Sequence, residues 1–379
     1  MKYSTEHIGR GAIANLSLEI ERLGSKNIFL VTGKKSFHDS GAKQLLDTAL
    51  KDRKVFYFND YTSNPTLDQA IKGAVEFKAK KYDLIIAVGG GSAIDIAKTI
   101  NAIQAHSGRE KEIATGKDKV SNELCPLIAI PTTCGTGSEA THFAVIYVDG
   151  VKYSLASDQL MPDVSIVDAC FVDNLPQYIS ACTGFDALCQ AVESYWSANA
   201  TSESKLYASQ AIKILIKDLT EAVSMGHKEK RTSVVQAAHL AGKAINISKT
   251  TAPHALSYGI TKEFGLPHGH AAAITLGLFF ELHAQENIQG YNHNVTPSSF
   301  AKTMRDLYVL LNVKNATAAK DRWYAIMKAC GLSIKLDTTK VNSSKVIDRI
   351  IEQVNVERLS NHPIQLTPEM IRKTLRALC

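Results

Sequence analysis

Short apolar runs rich in β-branched residues recur through the first half of the chain, bounded by glycine, proline or polar residues. The runs are NIFLVTG, KVFYFND, DLIIAVGGG, PLIAIPTT, FAVIYVDG and VSIVD, and helix-like segments lie between the first four. Strand-like runs that alternate with helical segments are typical of parallel βαβ units. The pattern therefore predicts an N-terminal α/β domain built on a parallel sheet.

The second half of the chain has a different pattern, because its apolar residues recur at helical spacing and strand-like runs almost vanish. The segments are GFDALCQAVESYW, SKLYASQAIKILIKDLTEAV, SVVQAAHLAGKAI, SFAKTMRDLYVLL, DRWYAIMKACG and TPEMIRKTLRAL. A chain of 379 residues also exceeds what one core usually supports. We expect an α/β domain over 1–178 and an all-helical domain over 179–379, with DNLPQYISACTG as the junction.

Composition excludes several classes of protein. The seven cysteines are odd in number and form no C-x-x-C pair, which argues against a disulfide framework and against a zinc site built from cysteines. The most apolar run, AAAITLGLFF, is about half of what a bilayer span requires. The net charge of +6 is scattered, without a basic stripe for nucleic acid. We expect a cytoplasmic protein that binds neither membrane nor nucleic acid.

A strand, a glycine turn and a helix start follow one another in YDLIIAVGGGSAIDIAK. Gly89, Gly90 and Gly91 would let the backbone approach a pyrophosphate, and Ser92 would lie at the positive end of a helix. The alternative is a tight strand-to-helix turn with no ligand.

A second loop, IPTTCGTGSEAT, also follows an apolar run. Thr132, Thr133, Thr136 and Ser138 offer hydroxyls beside two glycines, a composition unusual for a plain connector. A capped turn is the alternative. Together the two loops point towards a nucleotide ligand.

Possible metal ligands lie in the second half. Asp186 and Gln190 are one helical turn apart in TGFDALCQAVES, with Glu193 at a neighbouring position. With His254 and His268 they make a plausible ligand set for Zn²⁺ or Fe²⁺, with an open position for substrate. The alternatives are a solvated helix face and hydrogen-bonded core histidines.

These motifs together resemble the iron-containing (group III) alcohol dehydrogenases, which share a fold with glycerol dehydrogenase and dehydroquinate synthase. The likeness runs from IGRGAI near the start to SNHPIQLT near the end. It implies an N-terminal dinucleotide-binding domain, a helical domain and a divalent metal in the cleft between them. The family's metal ligands fall on Asp186, Gln190, His254 and His268, its pyrophosphate loop on Gly89, Gly90, Gly91 and Ser92, its nicotinamide-side loop on Thr132, Thr133 and Thr136, and further coenzyme contacts on Asp95 and Lys152.

The sequence departs from the family pattern at two positions. Gln190 stands where most iron-type members have a histidine, and a neutral amide is a weak ligand, so we expect either Fe²⁺ or Zn²⁺. Tyr258 stands where many members have another histidine, four residues after His254. The phenol, His270 or water could then relay the proton.

The coenzyme preference is predicted from LVTGKKSF. The family places an acidic residue, which repels a 2′-phosphate, where this chain has Gly33 followed by Lys34 and Lys35. We therefore expect NADPH to be favoured over NADH. The alternative is an ordinary loop glycine beside solvated lysines.

The substrate is predicted from the residues ahead of His254. Lys249, Thr250 and Thr251 place one cation and two hydroxyls near the expected metal, which suits an anionic group on a short aldehyde. SKTTAPHALSY and DALCQAVESYW also resemble the phosphonoacetaldehyde reductase branch of the family, whose product is 2-hydroxyethylphosphonate. The alternative is a solvent-facing lysine and threonines that cap the next helix.

We predict a metal-dependent, NAD(P)H-linked aldehyde reductase or alcohol dehydrogenase that assembles as a homodimer and reduces a small anionic aldehyde, with Lys249 holding the anion. Three alternatives remain open: a general short-chain alcohol dehydrogenase, a dehydroquinate-synthase-like lyase, and a binding protein that has lost its metal.

Overall fold

The computed structural model describes residues 4–285, 288, 290–339, 343–354 and 359–379, with side chains omitted for 343 and 344. The chain divides into two compact units, residues 1–175 and 176–379. The first unit contains all the named strands, and the second is helical. The predicted fold class, a parallel α/β domain followed by an all-helical one, is confirmed.

The first unit is built on a six-stranded sheet whose order is β1-β8-β5-β4-β2-β3. Every pairing in this sheet is parallel, as the βαβ pattern predicts. The strands of the unit are β1 Thr5–Ile8, β2 Asn27–Thr32, β3 Lys54–Phe58, β4 Leu84–Gly89, β5 Leu127–Pro131, β6 Phe143–Val148, β7 Val151–Ala156 and β8 Val164–Val167.

Helices cover the sheet and bury its apolar faces. The helices of this unit are α1 Leu16–Arg22, α2 Ser36–Asp39, α3 Ala42–Ala49, α4 Leu67–Ala79, α5 Gly91–Gln104 and α6 Glu110–Ala114. All residues of β4 and β5 are buried, which explains why these central strands are continuous apolar runs rather than alternating ones. Alternate residues of the strands belong to two separate apolar cores.

The strands β6 and β7 differ from the prediction. FAVIYV forms β6, but it pairs with β7 in a separate antiparallel ribbon rather than in the parallel sheet. Asp149 and Gly150, both at positive φ, make the two-residue hairpin turn. The edge strand β1 and the alternating strand β7 were not predicted, since neither is a continuous apolar run.

The described part of the second unit is mainly helical. Its helices are α7 Gln177–Trp196, α8 Ser202–Ser224, α9 Lys228–Ser248, α10 Ala252–Phe264, α11 His268–His283, α12 Pro297–Leu310, α13 Ala316–Ala329, α14 Ser343–Glu352 and α15 Pro368–Arg376. Much of the predicted junction is helical, because α7 begins directly after Pro176. No described helix is long and apolar enough to cross a membrane.

Helices α10 and α11 were not predicted, and their burial explains why. Nearly every residue of α11 after His268 is buried, so its apolar residues surround the helix instead of forming one stripe. The same holds for the first nine residues of α10 apart from Tyr258. The two helices carry the three predicted histidines and bring them next to α7.

Candidate metal centre and coenzyme loops

The predicted ligands Asp186, His254 and His268 converge within the helical unit. One candidate ligand atom from each lies within 4.8 Å of the others. Asp186 is in the middle of α7, His254 is in the first turn of α10, and His268 begins α11. Residues far apart in sequence are thus brought to one point by three helices that pack together.

His254 lies between two carboxylates. Its Nε2 is 3.1 Å from Asp186 Oδ1, and its Nδ1 contacts Glu193 Oε1. Burial lowers the pKa of His254, but the charges of Glu193 and Asp186 outweigh that effect and raise it to about 9. Burial alone would raise the pKa of Asp186, but its hydrogen bond with His254 and the nearby His268 lower it. Two carboxylates around buried imidazoles favour a cation here, so the donor set fits a divalent metal.

Glu193 orients this site, a role that its sequence position alone did not reveal. It is fully buried, and its Oε2 accepts hydrogen bonds from the Thr251 backbone N–H at 2.7 Å and the Thr251 hydroxyl at 2.9 Å. Its other oxygen holds Nδ1 of His254, which leaves Nε2 as the ligand atom of that ring. The signal in the sequence was its spacing of seven residues from Asp186, two turns along the same helix face.

His268 is positioned by two residues of α10. Ser257 Oγ lies 3.0 Å from His268 Nδ1, and the Tyr258 ring stacks on the imidazole with centroids 5.4 Å apart and planes 7° from parallel. The rings of His254 and His268 are 5.3 Å apart and meet edge to face. The predicted relay residue Tyr258 is therefore in direct contact with one predicted metal ligand.

Gly269, between His268 and His270, has to be small because α11 packs closely against α7 at this point. A Cβ at this position would overlap the Cys182 carbonyl oxygen of α7 and lie 2.7 Å from Asp186 Cβ. Backbone cannot move aside as a flexible side chain can, so α11 approaches α7 this closely only because residue 269 is glycine. The contact sets the separation of Asp186 from His268.

His270 is held away from the three-residue cluster. It is buried, its Nε2 donates to the Ser333 carbonyl at 2.7 Å, and its Nδ1 lies 3.3 Å from the Tyr178 hydroxyl. Burial lowers the pKa of His270, although the hydrogen bond to Ser333 opposes the shift. Gln190, the other predicted ligand, is buried on α7 one turn after Asp186.

The segment ahead of His254 is fixed by hydrogen bonds. Thr251 is fully buried, and its hydroxyl donates to Glu193 and accepts from Trp196 Nε1 at 3.0 Å. That hydroxyl is committed to the protein interior, so the expectation that it holds a substrate anion is wrong. Lys249, two residues earlier, has φ 64 and ψ 172 and remains partly exposed.

In the α/β unit, the two predicted coenzyme loops lie against each other. A Cβ at Gly91 would be 2.8 Å from Thr136 Cγ2, and one at Gly90 would be 3.3 Å from Thr133 Cγ2. The third glycine, Gly89, has φ 156. The turn thus requires small residues both for close approach and for its backbone conformation.

Several polar groups of these loops suit a coenzyme. The hydroxyls of Thr132 and Thr133 are buried without a hydrogen-bond partner among the described residues, so each is available to a ligand. Ser92 Oγ donates to the Ser63 carbonyl, and Asp95 Oδ2 accepts from the Val145 backbone N–H at 3.1 Å. Lys152 lies in β7, close enough for its charge to act on Asp95.

Gly33 follows β2 directly, as predicted. A Cβ there would overlap Ser36 Oγ, and the adjacent Lys34 and Lys35 are exposed. Lys35 Nζ is 3.9 Å from Asp39 Oδ2. Because both side chains are exposed, this ion pair is weak and leaves the lysine charge available.

Residues 4–169 match the family model for iron-containing alcohol dehydrogenase, and residues 180–379 match the model for the C-terminal region of the same family. The chain belongs to the iron-containing alcohol dehydrogenase family. It is an oxidoreductase acting on CH–OH groups, which sets aside the lyase and the binding protein that has lost its metal. The family implies a divalent metal and NAD(H).

Three relatives illustrate the range of this family. Long-chain-alcohol dehydrogenase 1 of Geobacillus thermodenitrificans is 34% identical over 274 residues, covering 71% of this chain and 69% of the relative. The 1,3-propanediol dehydrogenase of Klebsiella pneumoniae is 31% identical over 306 residues, covering 77% and 75%. The sulfoacetaldehyde reductase of Bifidobacterium kashiwanohense, whose structure was solved with NAD⁺, is 29% identical with a TM-score of 0.87, covering 100% and 97%.

Proposed function

We propose that this protein reduces a small anionic aldehyde, phosphonoacetaldehyde, to 2-hydroxyethylphosphonate, with NADPH favoured over NADH, and that it acts in the cytoplasm as a homodimer. The observation that carries the proposal is the backbone conformation of Lys249. The structural relative that is named a sulfoacetaldehyde reductase gives independent support, since its named substrate is also a two-carbon aldehyde with an anionic group.

Lys249 occupies a conformation that lysine normally avoids. Its φ of 64 and ψ of 172 lie in a region of backbone space that is essentially reserved for glycine. The other described non-glycine residues at positive φ are Asp149, Asn294 and Asn312, which are types that tolerate it. A lysine kept where glycine would be more stable is best explained by a function of its ammonium group.

The surrounding hydrogen bonds maintain this conformation. The Lys249 backbone N–H donates to the Ile245 carbonyl at 2.9 Å, and the Ser248 hydroxyl donates to the Lys249 carbonyl at 3.2 Å. Asn361 Nδ2 donates to the next carbonyl, that of Thr250, at 3.3 Å. The segment is therefore rigid, and it leads within two residues to Thr251, which Glu193 links to His254.

The reaction needs a hydride and a proton, since aldehyde, NAD(P)H and H⁺ give alcohol and NAD(P)⁺. When bound, a divalent cation at Asp186, His254 and His268 supplies polarisation of the carbonyl oxygen, and the nicotinamide supplies the hydride. Glu193 keeps His254 Nε2 directed towards Asp186. Gln190 is a weaker fourth candidate ligand.

We assign the proton to Tyr258 rather than to His270. The Tyr258 ring lies face to face with His268, one of the proposed ligands. His270 already uses Nε2 to bind Ser333, and its lowered pKa makes it a poor proton donor near neutral pH. We assign coenzyme binding to Gly33, to the glycine turn from Gly89 to Ser92, to the loop of Thr132, Thr133 and Thr136, and to Asp95 and Lys152.

Replacing Lys249 tests the substrate assignment. Loss of a charge-assisted contact of about 1.5–3 kcal/mol implies that Lys249→Ala lowers kcat/KM for phosphonoacetaldehyde by roughly one to two powers of ten while barely changing that for butyraldehyde. Lys249→Gly is expected to show the same loss with an unfolding temperature at or above that of the wild type, because glycine favours this backbone conformation. Sulfoacetaldehyde in the same panel separates phosphonate selectivity from a general preference for anions.

Lys243 provides the control, because it is a partly exposed lysine on α9, the helix that ends just before Lys249, and its ammonium lies over the Tyr207 ring. Lys243→Ala should leave both aldehydes unaffected. If the wild type reduces butyraldehyde as efficiently as phosphonoacetaldehyde, or if Lys249→Ala slows both equally, the protein is a general short-chain alcohol dehydrogenase instead.

A further inference from the structure

Lys98 is a fully buried lysine in the α/β unit that has no place in the reaction described above. It lies in α5, about two turns after the glycine turn at which the helix begins. Its ammonium Nζ donates to the carbonyls of Ser138 at 2.6 Å, Thr141 at 2.6 Å and Phe143 at 3.1 Å. A buried lysine is rare unless its charge has partners, so these contacts need an explanation.

The carbonyls of Ser138 and Thr141 belong to the mostly buried chain between β5 and β6, and the carbonyl of Phe143 belongs to the first residue of β6. Buried carbonyls that lack a hydrogen-bond donor are costly, and Ser138 and Thr141 lie outside the named strands, whose pairing would supply donors in regular order. The three N–H groups of an ammonium match three carbonyls. Lys98 therefore supplies hydrogen-bond donors to a segment in which strand pairing does not satisfy the Ser138 and Thr141 carbonyls in regular order.

Other contacts tie the same segment to the same helix. One turn before Lys98, the Asp95 carboxylate accepts from the Val145 backbone N–H. At the start of α5, Gly90 and Gly91 pack directly against Thr133 and Thr136. Residues 132–145 are thus fixed to α5 along three successive parts of its length.

We propose that Lys98 is a positioning residue for the nicotinamide coenzyme, which holds the loop containing Thr132, Thr133 and Thr136 against the glycine turn so that both present their polar groups together. This inference rests on the proposed coenzyme role of the two loops. Lys98 touches neither ligand nor reacting atoms and acts through the backbone of residues 138–143.

Because Lys98 is charged, its role predicts a pH dependence of coenzyme affinity that simple packing would not produce. Burial lowers the pKa of Lys98 to about 8, against the opposing charges of Asp95 and Glu139. Lys152 also faces Asp95. A neutral amine has two N–H groups and a lone pair, so on deprotonation one of the three carbonyls loses its hydrogen bond from Lys98. Coenzyme affinity should therefore decrease as the pH rises through about 8.

The main test compares Lys98→Met with Asn101→Leu. Asn101 is equally buried on the same helix, but its amide pairs with the Cys125 backbone, away from both loops. We expect Lys98→Met to bind NADH and NADPH about tenfold to a hundredfold more weakly, with no change in affinity between pH 7 and 9. Asn101→Leu should lose thermal stability but keep coenzyme affinity within about twofold of the wild type.

The outcomes separate the two hypotheses. Wild-type protein that binds neither coenzyme would contradict the proposed function itself. If the wild type binds coenzyme and Lys98→Met binds it equally well, only this inference is contradicted. The same holds if Lys98→Met and Asn101→Leu lose affinity equally. If Lys98→Met does not fold, Thr141→Val removes the hydroxyl that contacts Lys98 at 3.3 Å and donates to the Ser138 carbonyl at 3.2 Å. A flat pH profile in the wild type, with unchanged affinity in Thr141→Val, would then overturn the proposal.

Discussion

We propose that Gly33 occupies the position at which a dinucleotide-binding fold discriminates between its two coenzymes. It follows the last residue of β2, and the chain next to it carries the exposed cations Lys34 and Lys35. An acidic side chain here would accept hydrogen bonds from the ribose hydroxyls and repel a 2′-phosphate. Glycine removes the repulsion, and the lysines favour the additional phosphate charge.

Gly33→Asp should shift the preference from NADPH towards NADH by restoring that repulsion. Because a new Cβ would overlap the Ser36 hydroxyl, the variant is best made both alone and with Ser36→Ala, which removes the overlapping atom. We expect the ratio of kcat/KM for NADPH to that for NADH to decrease by at least tenfold in both backgrounds, equivalent to about 1.4 kcal/mol.

Ser36→Ala alone serves as the control and should leave the coenzyme ratio unchanged. A wild-type enzyme that uses NADH far better than NADPH would show that Gly33 is an ordinary loop glycine. The same conclusion would follow if the aspartate variant left the ratio unaltered.

At the scale of helices, the geometry of the candidate metal centre depends on how closely α11 approaches α7. Gly269 lies in the first turn of α11 on the side that packs against α7, next to the Cys182 carbonyl and the start of the Asp186 side chain. His268 is the residue directly before it. Any side chain at 269 must therefore push the two ligand-bearing helices apart.

Gly269→Ala should weaken metal binding by more than tenfold, because the ligand atoms of Asp186 and His268 can no longer approach one ion. It should also destabilise the protein by about 1–3 kcal/mol, the usual effect of overpacking. Metal content per chain and the affinity for added Zn²⁺ or Fe²⁺ measure the first effect, and Asp186→Ala gives the reference for complete loss.

Gly277→Ala is the matched control on the same helix. A Cβ at Gly277 would be 2.7 Å from the Tyr324 ring, so this variant also overpacks α11, but away from the ligands. It should lose stability and keep its metal. Equal metal loss in both variants would mean that the site responds to general destabilisation rather than to the separation of α7 from α11.

Only some of the site residues can be identified from short stretches of sequence. The turn from Gly89 to Ser92 could be predicted because residue type and short spacing carry its chemistry. The grouping of Asp186, His254 and His268 was predicted through the family resemblance, since 68 residues separate Asp186 from His254. The partnership of Glu193 with Thr251 could not be predicted, since 58 residues separate them and only helix packing brings them together. The positive φ of Lys249 likewise has no sequence signal.

Strands and helices also differ in how clearly the sequence predicts them. The central strands β4 and β5 are apolar throughout and were evident, whereas β1 is short and lies at the sheet edge, so its residues carry no clear pattern. Helix α11 was not predicted, because it is apolar on nearly all sides and shows no helical periodicity. Helical periodicity detects helices that are half-buried, and it fails for helices that are buried on all sides.

For the whole chain, a buried histidine pair should determine the response to mild acid. His283 and His362 are both buried, and their Nε2 atoms lie 2.9 Å apart within hydrogen-bond distance. Trp196, Phe279 and Phe300 surround them. Burial lowers the pKa of His283 to about 3, and burial together with the neighbouring His283 lowers the pKa of His362 well below its usual value.

The sign of the pH effect follows from which state binds the proton. Below about pH 6.5 the unfolded chain protonates these histidines while the folded chain does not, so the free energy of unfolding decreases as the pH falls from about 6.5 towards 3. His283 alone should cost about 2 kcal/mol at pH 5. His254 in metal-free protein has the opposite sign, since its raised pKa gives stability that is lost as the pH rises from about 6.5 through 9.

Urea unfolding between pH 6.5 and pH 5 therefore tests the histidine pair, because most carboxylates protonate below this range and the stability that depends on His254 is lost mainly above it. Wild-type protein should lose stability steadily across the interval. The double variant His283→Phe, His362→Phe should show a much weaker dependence, whatever its stability at pH 6.5, because no buried imidazole remains there to exclude the proton. His38→Ala, which removes an exposed histidine, should keep the wild-type dependence. A double variant that loses stability as steeply as the wild type would show that other groups govern the acid response.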